Sequence, residues 1–195
     1  MRKKSWGQYK KSFLDILLEK YRFLRVAKYI NTDSEVLDLG CGYNGELLIY
    51  FSSKIKRGVG VDIYVTRKIK EKNITLLEGR VDRNITLKDS SFNVITALAL
   101  IEHIENPHKI LQEAYRLLKK DGVFLLTTPD KKSKPLLEFL AFKLGVISKH
   151  EIKDHKRYYS KKGLIDALVN AGFNKKEVEI NTFEMGLNLV AKARK

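Results

Sequence analysis

Between residues 35 and 128 the apolar positions switch repeatedly between two periods, and the switches predict alternating strands and helices. Short apolar runs at 35–39, 57–62, 74–78, 92–98 and 123–128 read as strands. Helical spacing appears between them. Leu47, Leu48, Phe51 and Ile55 share one side of a helix over 45–54, and a short helix is expected over 65–71. Ile110, Leu111, Ala114, Leu117 and Leu118 belong to a helix that Asn106-Pro107 opens and Asp121-Gly122 ends. The 92–98 run is almost wholly apolar, as a strand covered on both faces should be. Ahead of these elements, Phe13, Leu17, Tyr21, Leu24, Ala27 and Ile30 make a stripe along a helix over 12–30. That stripe reads as a core face, with Arg22, Arg25 and Lys28 towards another side. After them, Ser160 caps a helix carrying Leu164, Leu168 and Ala171, which Gly172 stops. Strands over 177–183 and 187–193 then meet at Gly186.

Residues 129–156 do not follow the alternation. Ser133-Lys134-Pro135 can start a helix with Leu136, Leu137, Leu140 and Leu144 on its apolar side. Phe139 and Phe142 make it apolar nearly all round, with Glu138 and Lys143 as the breaks. A lid, a dimer contact and a membrane-touching patch are all compatible with that pattern.

The chemistry starts at Val36-Leu37-Asp38-Leu39-Gly40-Cys41-Gly42-Tyr43-Asn44-Gly45. A strand ends, glycines follow at spacings of two and three, and a helix begins. Such a turn lets a ligand approach bare backbone and the free N–H groups of a helix start. By itself Gly40-x-Gly42-x-x-Gly45 is a weak mark. A second strand, Gly58 to Val61, ends in Asp62 about 20 residues on, where a ribose-binding carboxylate belongs. The two marks together point to an adenosine-containing ligand. Cys41, inside the turn, reads as a small spacer and not a nucleophile.

Asp38 directly before the first glycine is not part of the dinucleotide pattern. Asp38-Leu39-Gly40-Cys41-Gly42 instead resembles the first motif of class I S-adenosylmethionine (SAM) methyltransferases. Ser90 to Leu98 resembles that family's fourth strand. Ile101-Glu102-His103-Ile104 resembles the segment after it in the small-molecule and ubiquinone-type branch, and Leu117 to Leu126 the turn into the fifth strand. Two positions depart. Asn44 stands where many members have the third glycine, and Asn93 replaces an Asp.

The resemblance implies a three-layer α/β/α Rossmann-like domain over residues 1–195, with a seven-stranded, mostly parallel sheet and a C-terminal antiparallel strand. Residues 1–30 would be a basic segment and helix, with Trp6 and Tyr9 able to pack over the cofactor cleft. Residues 130–159 would form an acceptor lid. The implied SAM site comprises Asp38, Gly40, Cys41, Gly42, Gly45, Asp62, Ile63, Asp82 and Leu98. Asp62 would meet the ribose and Asp82 the adenine, Arg80 holding the commoner acid position. His103, after a carboxylate at the mouth of a central strand, is the first candidate for a base, and His155 the second. Tyr158 is a further acceptor contact to consider. No metal is expected, since Glu102 with His103 lacks a third ligand at a telling spacing.

Composition narrows the rest. Hydrophobic content of 44% and charged content of 31% fit a globular protein, and a lone cysteine fits a reducing compartment. No apolar run is long enough to span a membrane and no signal-peptide core is present, so a cytoplasmic location is expected. The net charge is +15, from 38 basic against 23 acidic residues. That allows a polyanionic partner or an anionic or lipid-linked small substrate, but the lysines are spread along the chain. The resemblance to the small-molecule and ubiquinone-type branch implies a small-molecule acceptor, with oxygen or carbon methylation preferred. RNA methylation and a non-catalytic SAM-binding subunit are the alternatives. Ala97-Leu98-Ala99-Leu100 stands where DNA-adenine and glutamine-amide methylases carry an Asn-Pro-Pro-Tyr tetrad, so those acceptors are disfavoured.

Overall fold

The computed structural model describes residues 5–8, 13–83 and 85–195; Tyr9 and the side chain of Phe13 lie outside the described residues. One seven-stranded sheet organises the chain. Its strands are β1 (Glu35–Leu39), β2 (Arg57–Asp62), β3 (Ile74–Glu78), β4 (Phe92–Leu98), β5 (Leu118–Pro129), β6 (Val178–Phe183) and β7 (Asn188–Arg194), in the order β3-β2-β1-β4-β5-β7-β6. The first five pair in parallel, while β7 runs antiparallel to both β5 and β6. The order reverses beside β1, so β1 and β4 open a crevice at their carboxyl ends.

The alternation of side chains along each strand builds two cores. Val36, Val94, Val123 and Leu125 pack against α1 (Phe13–Ala27) and α2 (Glu46–Tyr50). Leu37, Leu39, Ile95, Ala97, Phe124 and Leu126 pack against α3 (Pro107–Leu117) and α6 (Lys161–Asn170). Between β5 and α6 lie α4 (Lys134–Phe139), a π turn over Leu140–Leu144 and α5 (Lys149–Asp154). As expected, Ser160 Oγ accepts from the Gly163 amide at 3.1 Å and caps α6.

Five readings change. The helix that Asn106-Pro107 opens ends at Leu117 and β5 starts at Leu118, so Asp121-Gly122 lies inside the strand. The stripe on α1 is a core face only at its end, where Ala27 and Ile30 pack on the core. Leu17 and Leu24 are 53% and 59% exposed, whereas Phe23 and Val26 are buried. The helix is rotated because Phe23 and Val26 join the cluster of Leu47, Leu48 and Phe51, which leaves Leu17 and Tyr21 of the stripe to the cavity described below. No helix forms over 65–71. The Thr66 amide donates to the Tyr43 carbonyl at 2.7 Å, and a β-branched pair beside like charges gives a helix no support there. Asn44 is not in the left-handed region, which Gly45 beside it occupies (φ 65°), so the missing third glycine costs the turn nothing. Asn93 gains a role. Its Oδ1 accepts from the Glu35 amide at 2.7 Å and ties the start of β1 to β4.

Candidate active site

The carboxyl ends of β1 and β4 open into a cavity of about 650 Å³. Asp38, Gly40, Cys41, Gly42, Asp62, Leu98, His103 and His155 all line it, although they come from five separate parts of the chain. Three further candidates do not line it. Gly45 faces β3, where an added Cβ would stand 2.7 Å from Leu76. Ile63 contributes its amide to Asp62. Asp82 is held by Arg80, with Nε 2.9 Å from Oδ1, and that guanidinium keeps the carboxyl below its ordinary range.

The glycine turn makes one wall. Gly40 and Gly42 have φ of 71° and 74°, a region that side chains rarely enter. A Cβ on Gly40 would lie 2.6 Å from Leu100, and one on Gly42 would lie 3.1 Å from the Trp6 carbonyl oxygen. Asp62 is held rigidly beside this bare backbone. Its Oδ2 accepts from the Gly42 amide at 2.9 Å and its Oδ1 from the Ile63 amide at 2.7 Å. Ser5 Oγ also donates to Oδ1. The segment around Trp6 closes this end: the Tyr43 amide donates to the Trp6 carbonyl at 2.6 Å, and the indole N–H to Glu19 at 3.0 Å.

Asp38 is 4% exposed, and its Oδ1 accepts from Thr96 Oγ1 at 2.6 Å. Burial, opposed by that hydrogen bond and reinforced by the charges of Asp62 and Glu46, pushes its carboxyl up to about 7. Burial also pushes the Cys41 thiol well up, which fits a spacer packed on Gly60 and not a thiolate. Seven carboxylates line the cavity against one guanidinium, Arg22. A protein of charge +15 thus encloses an acidic site.

The opposite wall belongs to the turn after β4 and to the segment after β5. Ala99 has φ 50°, and its amide donates to both the carbonyl and hydroxyl of Thr127. This strained corner turns Glu102 and His103 inward. Both are buried, and burial raises the Glu102 carboxyl above its ordinary value. Asp154 Oδ2 is 3.1 Å from His103 Nδ1, the His103 and His155 rings meet edge-on at 4.9 Å, and His155 Nδ1 is 3.1 Å from the Tyr158 hydroxyl. Ligand-capable atoms of Glu102, His103 and His155 lie within 4.8 Å of one another. The third ligand that spacing could not supply thus comes from across the fold. Nothing in the sequence signals Ala99 or Asp154, but Glu46, which also lines the cavity, could have been noticed as an acid in the first turn after the glycines.

The bare glycine backbone, the fixed Asp62 acceptors and the excess of carboxylates fit a ligand with ribose hydroxyls and a net positive charge. Comparison with known proteins agrees. The Methyltransferase domain family matches residues 13–178. A ubiquinone biosynthesis O-methyltransferase of Glaesserella parasuis is 31% identical over 131 residues, which cover 57% of this chain and 54% of that one. The chain spans about half the length of the first such relatives it matches. A ubiquinone/menaquinone biosynthesis C-methyltransferase of Campylobacter jejuni is 24% identical over 84% of this chain and 80% of its own. Among solved structures, the YcgJ protein of Bacillus subtilis shares the fold, with a TM-score of 0.67, 16% identity, and coverage of 90% of this chain and 98% of that one. The crevice at the strand ends and the match along most of its length make this chain a member of the methyltransferase domain family, with S-adenosylmethionine as its cofactor.

Proposed function

We propose that this chain methylates an oxygen or carbon atom of a small, uncharged and largely apolar molecule. Bound SAM supplies a methyl group already activated on a sulfonium, so positioning can provide most of the catalysis. Asp62 receives the ribose hydroxyls in this reading, and ionised Asp38 faces the positive charge of the cofactor. The observation that carries the reading is the convergence of the glycine wall and the His103 wall on one cavity. Its carboxylates disfavour an anionic acceptor, and its other lining is mostly aliphatic: Leu14, Leu18, Leu137, Leu140, Ile147 and Ile152. Relatives named for oxygen and carbon methylation in ubiquinone biosynthesis support the same class. RNA methylation has only the net charge in its favour.

His103 takes the acceptor proton, with Asp154 Oδ2 3.1 Å from its Nδ1 to orient the ring and balance the charge it gains. A second reading rests on the same cluster. Glu102, His103 and His155 offer one carboxylate and two imidazoles, a donor set suited to a divalent cation that would bind the acceptor oxygen.

One set of titrations tests both. Calorimetry with SAM and its demethylated product should give micromolar binding to the wild type and about a 100-fold loss in Asp62→Ala, which removes a charge-assisted acceptor. His103→Ala should keep that affinity and lower turnover by about 100-fold or more on acceptors found with labelled SAM. Indifference of turnover to a chelator supports the base; loss on chelation and recovery with Mg²⁺ or Mn²⁺ supports the cation. A well-folded wild type that binds no SAM would overturn the enzyme reading.

A further inference from the structure

The segment after β5 has two faces. Leu137, Leu140, Ile147 and Ile152 line the cavity and Ala141 is fully buried. Leu136, Phe139, Phe142, Leu144 and Val146 point the other way, each between 45% and 59% exposed. Scattered exposed apolar residues need no explanation, but five large ones within residues 136–146 form a patch. The patch adjoins the cavity mouth, whose far rim is apolar too. Leu17 and Tyr21 of α1 line the cavity while 53% and 37% exposed, and Met185, at the tip of the β6–β7 turn, is 97% exposed. Met185 is held there at φ 53° beside Glu184 at 50°, a turn that thrusts a bare thioether chain outward.

Charge selects the occupant. Residues 131–156 carry seven lysines against three carboxylates, and Lys131, Lys132, Lys134, Lys143, Lys149 and Lys153 are all exposed. A second copy of this chain would bring lysines against lysines, and like charges facing each other oppose association. An anionic bilayer meets both features at once. Aromatic and aliphatic side chains enter the headgroup–acyl boundary while surrounding lysines meet lipid phosphates. No described helix is long and apolar enough to cross a membrane, so the contact lies on the surface.

We infer that the outer face of residues 134–153, together with the exposed rim of α1 and Met185, docks the cavity mouth on an anionic lipid bilayer. Docking does not depend on what is methylated. Its consequence, that an apolar acceptor enters from the lipid phase without crossing water, rests on the proposed function. The docked segment also reaches the chemistry: it ends at Asp154 beside His103, and the Lys156 amide donates to the Glu102 carbonyl at 2.8 Å.

Flotation of the full chain tests this with vesicles of mixed phosphatidylglycerol and phosphatidylcholine, and of phosphatidylcholine alone. The wild type should float with the first and not the second. Phe139→Ser with Phe142→Ser should lower the partition coefficient by about tenfold or more, since two rings leave the lipid. Lys131→Gln, Lys132→Gln and Lys134→Gln together should lower it as well, as should added salt. None of these residues lines the cavity, so SAM titrations and melting curves should match the wild type and exclude misfolding. Three results would overturn the inference: a wild type that stays with the aqueous layer, a Phe139/Phe142 variant that floats as well as wild type, or a wild-type dimer that the same substitutions dissolve. Absence of SAM binding in a wild type that floats would remove the methyl-transfer reading and leave the docking in place.

Discussion

Two walls face each other across one cavity, and they are built on opposite principles. The wall over residues 36–63 is made of backbone. Its glycines have no alternative, because added side chains would strike Leu100 or the Trp6 carbonyl, and its Asp62 is fixed by two amides. The wall formed by Glu102, His103 and residues 137–155 is made of side chains drawn from helices and turns that share no periodic pattern. Local geometry specifies the first, so short sequence can encode it. Long-range packing specifies the second, and short sequence cannot.

The sharpest way to break this contrast is to add one side chain to the rigid wall. Gly40→Val places a branched Cβ at φ 71°, 2.6 Å from Leu100. The strain and clash should cost about 2–4 kcal/mol of stability and abolish SAM binding, because the added side chain covers backbone that the cofactor must approach. Denaturant unfolding and calorimetry read both. A variant that binds SAM normally would show that this wall yields as readily as its opposite.

A second effect is smaller and depends on pH. The Asp38 carboxyl is pushed up to about 7 from an ordinary 3.8, so the folded chain holds a proton that the unfolded chain has released. Its sign follows: stability contributed by this group is present below pH 4 and declines as pH rises to about 7. Each unit of such a shift corresponds to about 1.4 kcal/mol, an upper bound for a group this buried. A cationic ligand favours the ionised form, so SAM affinity should rise through pH 7 and then level off. Asp38→Asn should flatten both curves, bind SAM more weakly than wild type above pH 7, and lie closest to it at pH 6.

How far each wall was legible follows from the same contrast. The strand ends, the glycine turn and Asp62 were readable because apolar period and residue type suffice there. Asn93 was visible but unexplained until β1 and β4 were seen side by side, since its partner is the Glu35 amide. Residues 65–71 failed as a helix because a tertiary bond from Thr66 to Tyr43 outweighed weak propensity. The α1 stripe failed in part, at Leu17, Tyr21 and Leu24, and more instructively. Its spacing was right for a helix, but periodicity cannot say whether an apolar face meets a core or a cavity mouth. His103 was nameable from its place after β4. His155 was nameable as a second candidate, but neither its meeting with His103 nor the part of Asp154 was legible, because only the fold of residues 131–156 brings them there.

The smallest expected effect tests whether the two walls act separately. Asp154 lies on the wall built of side chains, 51 positions from His103 in sequence and 3.1 Å from its Nδ1. Its carboxylate meets His103, on the wall opposite the glycine turn and Asp62, so Asp154→Asn should leave SAM affinity and KM for SAM unchanged. An amide of the same shape keeps the packing but removes the charge that steadies a protonated ring. Turnover should therefore fall by about tenfold, less than the roughly 100-fold or more expected for loss of the base itself. Asp154→Glu, which restores the charge, should recover part of the loss, whereas a purely structural role would be disturbed by the longer side chain and spared by the isosteric amide. A parallel loss of SAM affinity in Asp154→Asn would mean that the segment after β5 also holds the glycine wall in place, and the cavity would then be one cooperative unit.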